Sequence, residues 1–256
     1  MIGCFPSPHP DELFYSICAR YAKRVHYHRK AAVMQELFGS GFEKGAIDLP
    51  THLDVLIAAL PPKHPYSVDR FIGEHTLLPF YRPFLPAERL RRLREEMAGE
   101  NAVGIYYRFG FRKGSVKPAR YLRYCPSCAM EDRIRVGETY WHRIPQLPGI
   151  LVCPTHMIPL EETSVEALAR RAAAPEFYTA EQAIPKQSIS TGNKCWPWHN
   201  NLLALARDAS WLLEQLNLTP GFQQIYRRHL TLLTENQFVL PRGKLRLGEL
   251  VERYQA

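Results

Sequence analysis

The sequence predicts a mainly α-helical protein with one small, cysteine-bearing lobe of short strands. Two observations carry this. Apolar residues recur at helical spacing near both ends of the chain, and a cluster of cysteines interrupts that pattern near the middle. With 256 residues, 46% of them apolar and 23% charged, the composition is that of an ordinary globular protein with room for one large domain or two smaller ones. Collagen-like, mucin-like and wholly disordered classes are excluded.

In chain order, residues 11–25 place Leu13, Phe14, Ile17, Cys18, Tyr21 and Val25 on one helical stripe, with Pro10, Asp11 and Glu12 suited to its first turn. A second helix is expected from Lys30 to Phe38, closed by Gly39, and is followed by a glycine-punctuated loop. Leu53 to Leu60 forms a third, with Thr51 as N-cap and Pro61-Pro62 as its stop. Three short helices in this span suggest a helix-turn-helix-like unit. Ser67 caps a helix to Glu74, HTLLPFYRPFLP turns a packed corner, and a helix from Pro86 aligns Leu90, Leu93 and Met97. Tyr106 to Arg123 reads as short strands or loops. Residues 161–199 read as irregular linker, and helices return at 202–216, 222–233 and 248–254. The expected divisions are therefore an N-terminal helical region at 1–80, a basic helix plus cysteine lobe at 81–162, a linker at 163–199, and a C-terminal helical domain at 200–256.

Lys and Arg number 33 against 25 Asp and Glu, a net charge of +8, and residues 81–143 hold 14 of the former and 7 of the latter. A polyanionic partner meeting that stretch is the natural expectation. The longest apolar run, Val55 to Leu60, is far short of the roughly 20 residues of a membrane span. The opening MIGCFPSPHPDEL lacks the basic start and apolar core of a secretory signal, so a cytoplasmic protein with no membrane partner is expected.

The strongest chemical signal is Cys125-Pro-Ser-Cys128 followed after 24 residues by Cys153-Pro-Thr-His156. Two residues between ligands let both side chains of a tight turn face one ion, and two such turns complete a tetrahedron of thiolate and imidazole, the donor set of Zn²⁺. Four protein ligands leave no open position, so a structural Zn²⁺ is expected on Cys125, Cys128, Cys153 and His156. The intervening Tyr140-Trp141-His142-Arg143 reads as an extended return whose aromatics pack over this lobe. Cys195 and His199 lack a second ligand pair, and Cys18 reads as a buried thiol. No catalytic residue is assigned. The phosphate-loop, HExxH and GxSxG signatures are missing, GSGFEKG lacks the phosphate-loop order, and no HxE accompanies the CxxC as zinc deaminases require.

Three stretches, PSPHPDELFYSICARYA, EHTLLPFYRPFLP and RYCPSCAMEDRIRVGETYWHRIPQLPGILVCPTHMIPL, closely resemble the TniQ/TnsD family of transposon target-selection proteins. The resemblance covers about the first 160 residues. It implies zinc ligation by Cys125, Cys128, Cys153 and His156, and an N-terminal helix-turn-helix over roughly residues 11–60. It also implies a non-enzymatic adaptor of the bacterial cytoplasm and nucleoid that recruits a TnsC-like AAA+ ATPase regulator. GFQQIYRRHL and LPRGKLRLGELVERY look like the start of the longer C-terminal region of TnsD-type members, which resemble sequence-specific DNA binders. TnsD-type members run well beyond 256 residues, so the chain is either a piece of a longer protein or a shorter, TniQ-like member.

If double-stranded target DNA is the partner, Arg89, Arg91, Arg92, Arg94, Arg108, Arg112, Lys113, Lys117, Arg120 and Arg123 form one candidate phosphate-contacting surface. Arg242, Lys244 and Arg246 form a second, and Tyr226, Arg227 and Arg228 are candidates for reading base edges. The same arginines would serve equally as a solvated helix face. A different class of function is a protein bridge that links an RNA-guided CRISPR effector to the ATPase and reads little DNA itself. A third is a metal-dependent nuclease whose carboxylates converge from distant positions. Residues 200–256 favour the DNA reader, and the ATPase contact is expected near His26 to Lys30.

Overall fold

The structure is a computed structural model, and it describes residues 2–39, 49–99, 116, 118–167, 177–186, 198–215, 219–240 and 243–255. In order, the elements are α1 (Phe14–Arg24), α2 (Lys30–Phe38), α3 (Leu53–Ala59), α4 (Val68–His75), α5 (Leu78–Tyr81), a 3-10 turn (Arg82–Phe84) and α6 (Ala87–Ala98). Then come β1 (Tyr121–Tyr124), α7 (Pro126–Val136), a second 3-10 turn (Ile144–Gln146), β2 (Glu161–Glu166), α8 (Ala180–Ala183), α9 (His199–Glu214), α10 (Phe222–Glu235) and α11 (Leu247–Gln255). The protein is mainly helical, with one two-stranded antiparallel sheet. No helix among the described residues is long and apolar enough to cross a membrane.

Two cores share one helix. Phe14, Ile17, Cys18 and Tyr21 of α1 face Val33, Leu37, Leu53, Leu56, Phe71, Leu93 and Met97 in the first core. Leu13 and Tyr15 join Leu122, Trp141, Leu147, Val152, Leu203, Ala206 and Leu213 in the second. Every residue of α1 from Phe14 to Ala22 is consequently buried, including Ser16 and Arg20. The apolar stripe of a one-sided amphipathic helix accounts for the first core only. The polar side is buried because the cysteine lobe covers it.

Several expectations change in detail. Asp11 and Glu12 do not occupy the first turn of α1, because Asp11 adopts φ +55° and the helix starts at Phe14. Glu12 instead pairs with Arg20 on α1 and Asp11 with Arg143 of the cysteine lobe. The cap of α3 is His52 at φ +59° rather than Thr51. Ser67 does cap α4, its Oγ accepting from the Arg70 amide at 3.1 Å. Part of the stretch expected to be linker is ordered. β2 pairs with β1 in the register Tyr124↔Glu161, and Thr179 closes a capping box on α8. EETSVE has little strand propensity of its own, so this pairing is imposed by β1 and by Tyr124 Oη donating to Glu161 at 2.7 Å.

The expected boundary at residue 200 separates α9 from the lobe it packs into: Leu203, Ala206, Ala209 and Leu213 are buried in the second core. Leu93 and Met97 likewise tie α6 to the N-terminal helices rather than to the cysteine lobe. α10 approaches the 3-10 turn Arg82–Phe84, yet it buries no side chain fully among the described residues. Residues 40–45 of the glycine-punctuated loop and residues 106–115 of the stretch expected as short strands or loops lie outside the described residues.

The two lobes are joined by backbone pairing between the N-terminal arm and the segment after α7. Leu13 N–H donates to Trp141 O at 2.7 Å, Arg143 N–H donates to Asp11 O at 3.0 Å, and Trp141 N–H donates to Ser16 Oγ at 3.1 Å. Beneath this ladder Arg20 donates to Glu12 at 2.9 Å and to Glu138 at 2.9 Å, with Glu12 fully buried. Removing one partner of such a pair strands a charge. Arg20→Met is expected to cost about 3–5 kcal/mol in urea unfolding, and adding Glu12→Gln should restore much of it. A loss below about 1 kcal/mol for the single variant would show that the pair does not hold the lobes together.

Candidate metal centre

Each half of the centre is set by a local turn. β1 delivers Cys125 in an extended conformation at the N-cap of α7, Pro126 starts the helix, and Cys128 sits in its first turn. The second half is a tight turn in which Cys153 N–H donates to Ile158 O and Met157 N–H to Cys153 O, both at 2.9 Å, with Met157 at φ +57°. His156 N–H points at Cys153 Sγ, 3.4 Å away.

The turns bring one ligand atom each from Cys125, Cys128, Cys153 and His156 within 4.8 Å of one another. Cys128 Sγ lies 3.7 Å from Cys153 Sγ, and His156 Nδ1 lies 3.5, 3.3 and 3.6 Å from the sulfurs of Cys125, Cys128 and Cys153. Tetrahedral bonds of about 2.0–2.3 Å place ligand atoms roughly 3.5–3.8 Å apart, so these four donors fit a four-coordinate metal ion. His156 Nε2 meets Glu131 Oε1 at 2.9 Å, which fixes the ring so that Nδ1 faces inward. Crowding by the Cys125 and Cys153 sulfurs, with burial, holds the Cys128 thiol above its ordinary pKa. A bound divalent cation removes that penalty and displaces the protons.

Behind the centre, Asp132 of α7 accepts from His142 Nε2 at 2.7 Å, Arg135 Nη2 at 3.1 Å and Thr139 Oγ1 at 3.3 Å. Asp11 accepts from Arg143 Nε at 2.9 Å, and Arg143 also donates to the carbonyls of Gly73 and Thr76. Trp141 is fully buried and Tyr140 nearly so, packed as the aromatics were expected to be. None of these ion pairs was expected from sequence, which placed Asp11 in a helical first turn and His142 and Arg143 in an extended return. Asp11 and Arg143 are 132 residues apart, and no local spacing signals their contact.

A sequence model of TniQ matches residues 4–160, from the N-terminal arm through the second turn of the centre. The chain belongs to the TniQ family. It is also similar to the transposon Tn7 transposition protein TnsD of Escherichia coli, with 32% identity over 152 residues, 59% of this chain. The match spans only 30% of that relative's length.

In this TniQ chain the arginines named from sequence have separate fates. On α6, Arg91 pairs with Glu88 and Glu95, Arg92 with Glu88, and Arg94 with Asp69, all at the surface. Arg89 shares that helix and is exposed. Arg120 lies 3.7 Å from Glu166 and over the Tyr121 ring. Arg123 cannot meet a phosphate, because it is 5% exposed and donates to the carbonyls of Ile150 and Leu147 at 2.6 and 2.8 Å. Both faces of β1 are covered, and Arg123 knits the metal lobe through those two carbonyls. Tyr226, Arg227 and Arg228 are exposed on α10, as are Lys244 and Arg246 on the hairpin closed by the Val239↔Leu245 bridge. The arginines of α10 and the α6 group are not gathered into one site with the metal ligands. Arg108, Arg112, Lys113, Lys117, Arg242 and Cys195 lie outside the described residues.

The polar scaffold titrates in a definite sense. Burial alone would lower the His142 pKa, but its contacts with Asp11 and Asp132 outweigh that and raise it to about 9. Its stabilisation is full below the unfolded value near 6.5 and fades as pH rises through about 9. Burial lowers His75 to about 4, so that group costs stability as pH falls from about 6.5 towards 4. Urea midpoints should therefore peak near pH 6.5, with up to about 3 kcal/mol lost on the alkaline side through His142. His142→Gln should flatten the alkaline limb and leave the acid limb in place. An alkaline limb unchanged in that variant would refute the assignment.

Proposed function

We propose that this protein is a non-catalytic adaptor in transposition, which marks target DNA and recruits the element's AAA+ ATPase regulator. The observation that carries the reading is the TniQ match running through both lobes and the whole of a four-donor centre. Zn²⁺ is the ion proposed there, since three thiolates and one imidazole at tetrahedral spacing are its preferred donors. Bound Zn²⁺ supplies four bonds that fix the two turns. The four side chains occupy every position of the tetrahedron, so their role is to hold, and no residue is assigned to a chemical step.

The DNA-reading form is favoured over a pure protein bridge by α10. It is a 14-residue helix on which Tyr226, Arg227 and Arg228 are each exposed, followed by a hairpin carrying Lys244 and Arg246. A helix that buries no side chain fully has its side chains available for a groove, and a basic hairpin beside it can meet the flanking phosphates. The ion pairs of α6 are exposed and weak, so they do not withhold those arginines from phosphate. The similarity to a Tn7 transposition protein supports the biological setting, and the bacterial cytoplasm is the compartment proposed with it.

Selection of a randomised duplex library on the purified protein tests this directly. The reader predicts enrichment of one sequence, affinity that falls steeply with salt, and at least a tenfold loss in Arg227→Glu/Arg228→Glu. Uniform, weak retention of all duplexes, together with capture of the ATPase, would replace the reader with the bridge. Cleavage of supercoiled DNA with added Mg²⁺ would overturn the non-catalytic assignment.

A further inference from the structure

Between α1 and α2 the chain runs Lys23-Arg24-Val25-His26-Tyr27-His28-Arg29-Lys30, four cations and two imidazoles in eight residues. No Asp or Glu occurs from residue 13 to residue 35, so the first turn of α2 holds no acid. Lys23, Arg24, His26, Tyr27, His28 and Arg29 are all exposed. Lys30 is engaged internally, its Nζ lying 5.9 and 5.1 Å from the ring centroids of Tyr15 and Phe177. Among the described residues the other three cations hold no carboxylate. On α6, by contrast, Arg91, Arg92 and Arg94 each pair with one. The α1–α2 turn therefore presents positive charge without counter-charge, and such a surface draws a polyanion.

The turn is also ordered. Val25 N–H donates to Tyr21 O and Tyr27 N–H to Ala22 O, both at 3.0 Å, while His26 takes the left-handed position at φ +54°. This is the hydrogen-bonded closure that ends many helices, and it fixes the backbone from which the cations project. Lys23 and Arg24 lie in the last turn of α1, where they also meet the negative end of the helix dipole. That attraction is only about 0.3–1 kcal/mol, is screened by salt, and leaves their N–H donors open to a ligand.

The exposed chemistry separates a phosphate chain from a protein partner. A protein interface centres on apolar and aromatic side chains and is depleted in Lys. Tyr27, at 42%, is the only large hydrophobic exposed between residues 2 and 83 among the described residues. Phosphates are met by Lys, Arg and Tyr donors with no apolar core. α3, which packs against α2, is no rival surface, because it turns Asp54 and Ala58 to solvent. The ATPase contact expected at His26 to Lys30 thus gives way to a different occupant.

We propose that the α1–α2 turn grips the sugar–phosphate backbone of duplex DNA through Lys23, Arg24 and Arg29, whatever the base sequence beneath it. The inference deepens the DNA-reading proposal by adding a hold that carries no sequence information, and it rests on that proposal only for DNA being the polyanion.

The test titrates the Zn²⁺-loaded chain against two duplexes of unrelated sequence across a range of salt. Lys23→Gln/Arg24→Gln/Arg29→Gln should weaken both duplexes alike by about tenfold or more and flatten the slope of log affinity against log salt by about 2–3. In the wild-type chain, bound duplex should slow acetylation of Lys23 by about threefold or more, a readout that needs no variant to fold. Wild-type affinity and slope in a triple variant of unchanged metal content and melting temperature would overturn the grip, as would Lys23 acetylated equally fast with and without duplex. A triple variant that binds both duplexes normally but loses the ATPase, or loses only single-stranded RNA, would also overturn it. If wild type holds both duplexes equally and the variant weakens both, sequence reading by α10 falls and the grip stands. If wild type prefers one duplex and the variant keeps that preference at full affinity, the reader stands and the grip falls.

Discussion

Three sulfurs and an imidazole nitrogen gathered within 4.8 Å of one another are placed where one shared cation could hold them. Thiolates that close repel one another, and as neutral thiols they bond only weakly. With a cation among them, two turns that are 24 residues apart in sequence become one rigid body. The rest of the cysteine lobe is loop, short helix and a two-stranded sheet, which could not fix itself by its own core. Its value to the fold lies in what it presents. The segment from Glu138 to Arg143 leaves α7 through Gly137 at φ +83° and runs antiparallel to the N-terminal arm.

That pairing makes α1 the hinge of the whole molecule. One side of the helix packs into the first core, and the other, polar side is covered by the metal lobe through Ser16 and Arg20. Arg20, Arg143 and His142 each bind a carboxylate supplied by or facing the arm, so the join is dense in buried charge. Charged joins of this kind give orientation more than stability, because each ion must be desolvated before it is paired. An adaptor of the kind proposed, holding two macromolecules at a fixed angle, would gain from that rigidity.

Much of this was legible in the sequence where the signal is local. α1, α2, α6 and α9 follow their apolar stripes, α4 follows its Ser67 cap, and the four ligands follow from two short spacings. What was illegible depends on distant partners. Asp11 and Glu12 resemble first-turn acids until the arm pairs with Trp141 and turns them towards Arg143 and Arg20. Arg123 reads as one more cation in a basic run, and only the strand pairing of β1 shows it facing Leu147 and Ile150. Residues 161–166 carry too little apolar alternation to announce a strand, and the placement of α9 depends on a core it does not itself encode.

The account makes the metal the element on which the join between lobes depends. Amide hydrogen exchange, followed at Leu13, Trp141, Arg143, Cys153 and Met157 before and after chelation, tests this most directly. The account predicts that chelation collapses protection at Cys153 and Met157 and, with them, at the amides of Leu13 in the arm and Arg143 opposite it, while the amides of α2 and α6 stay protected. Arm amides that keep their protection after the metal is stripped would contradict it.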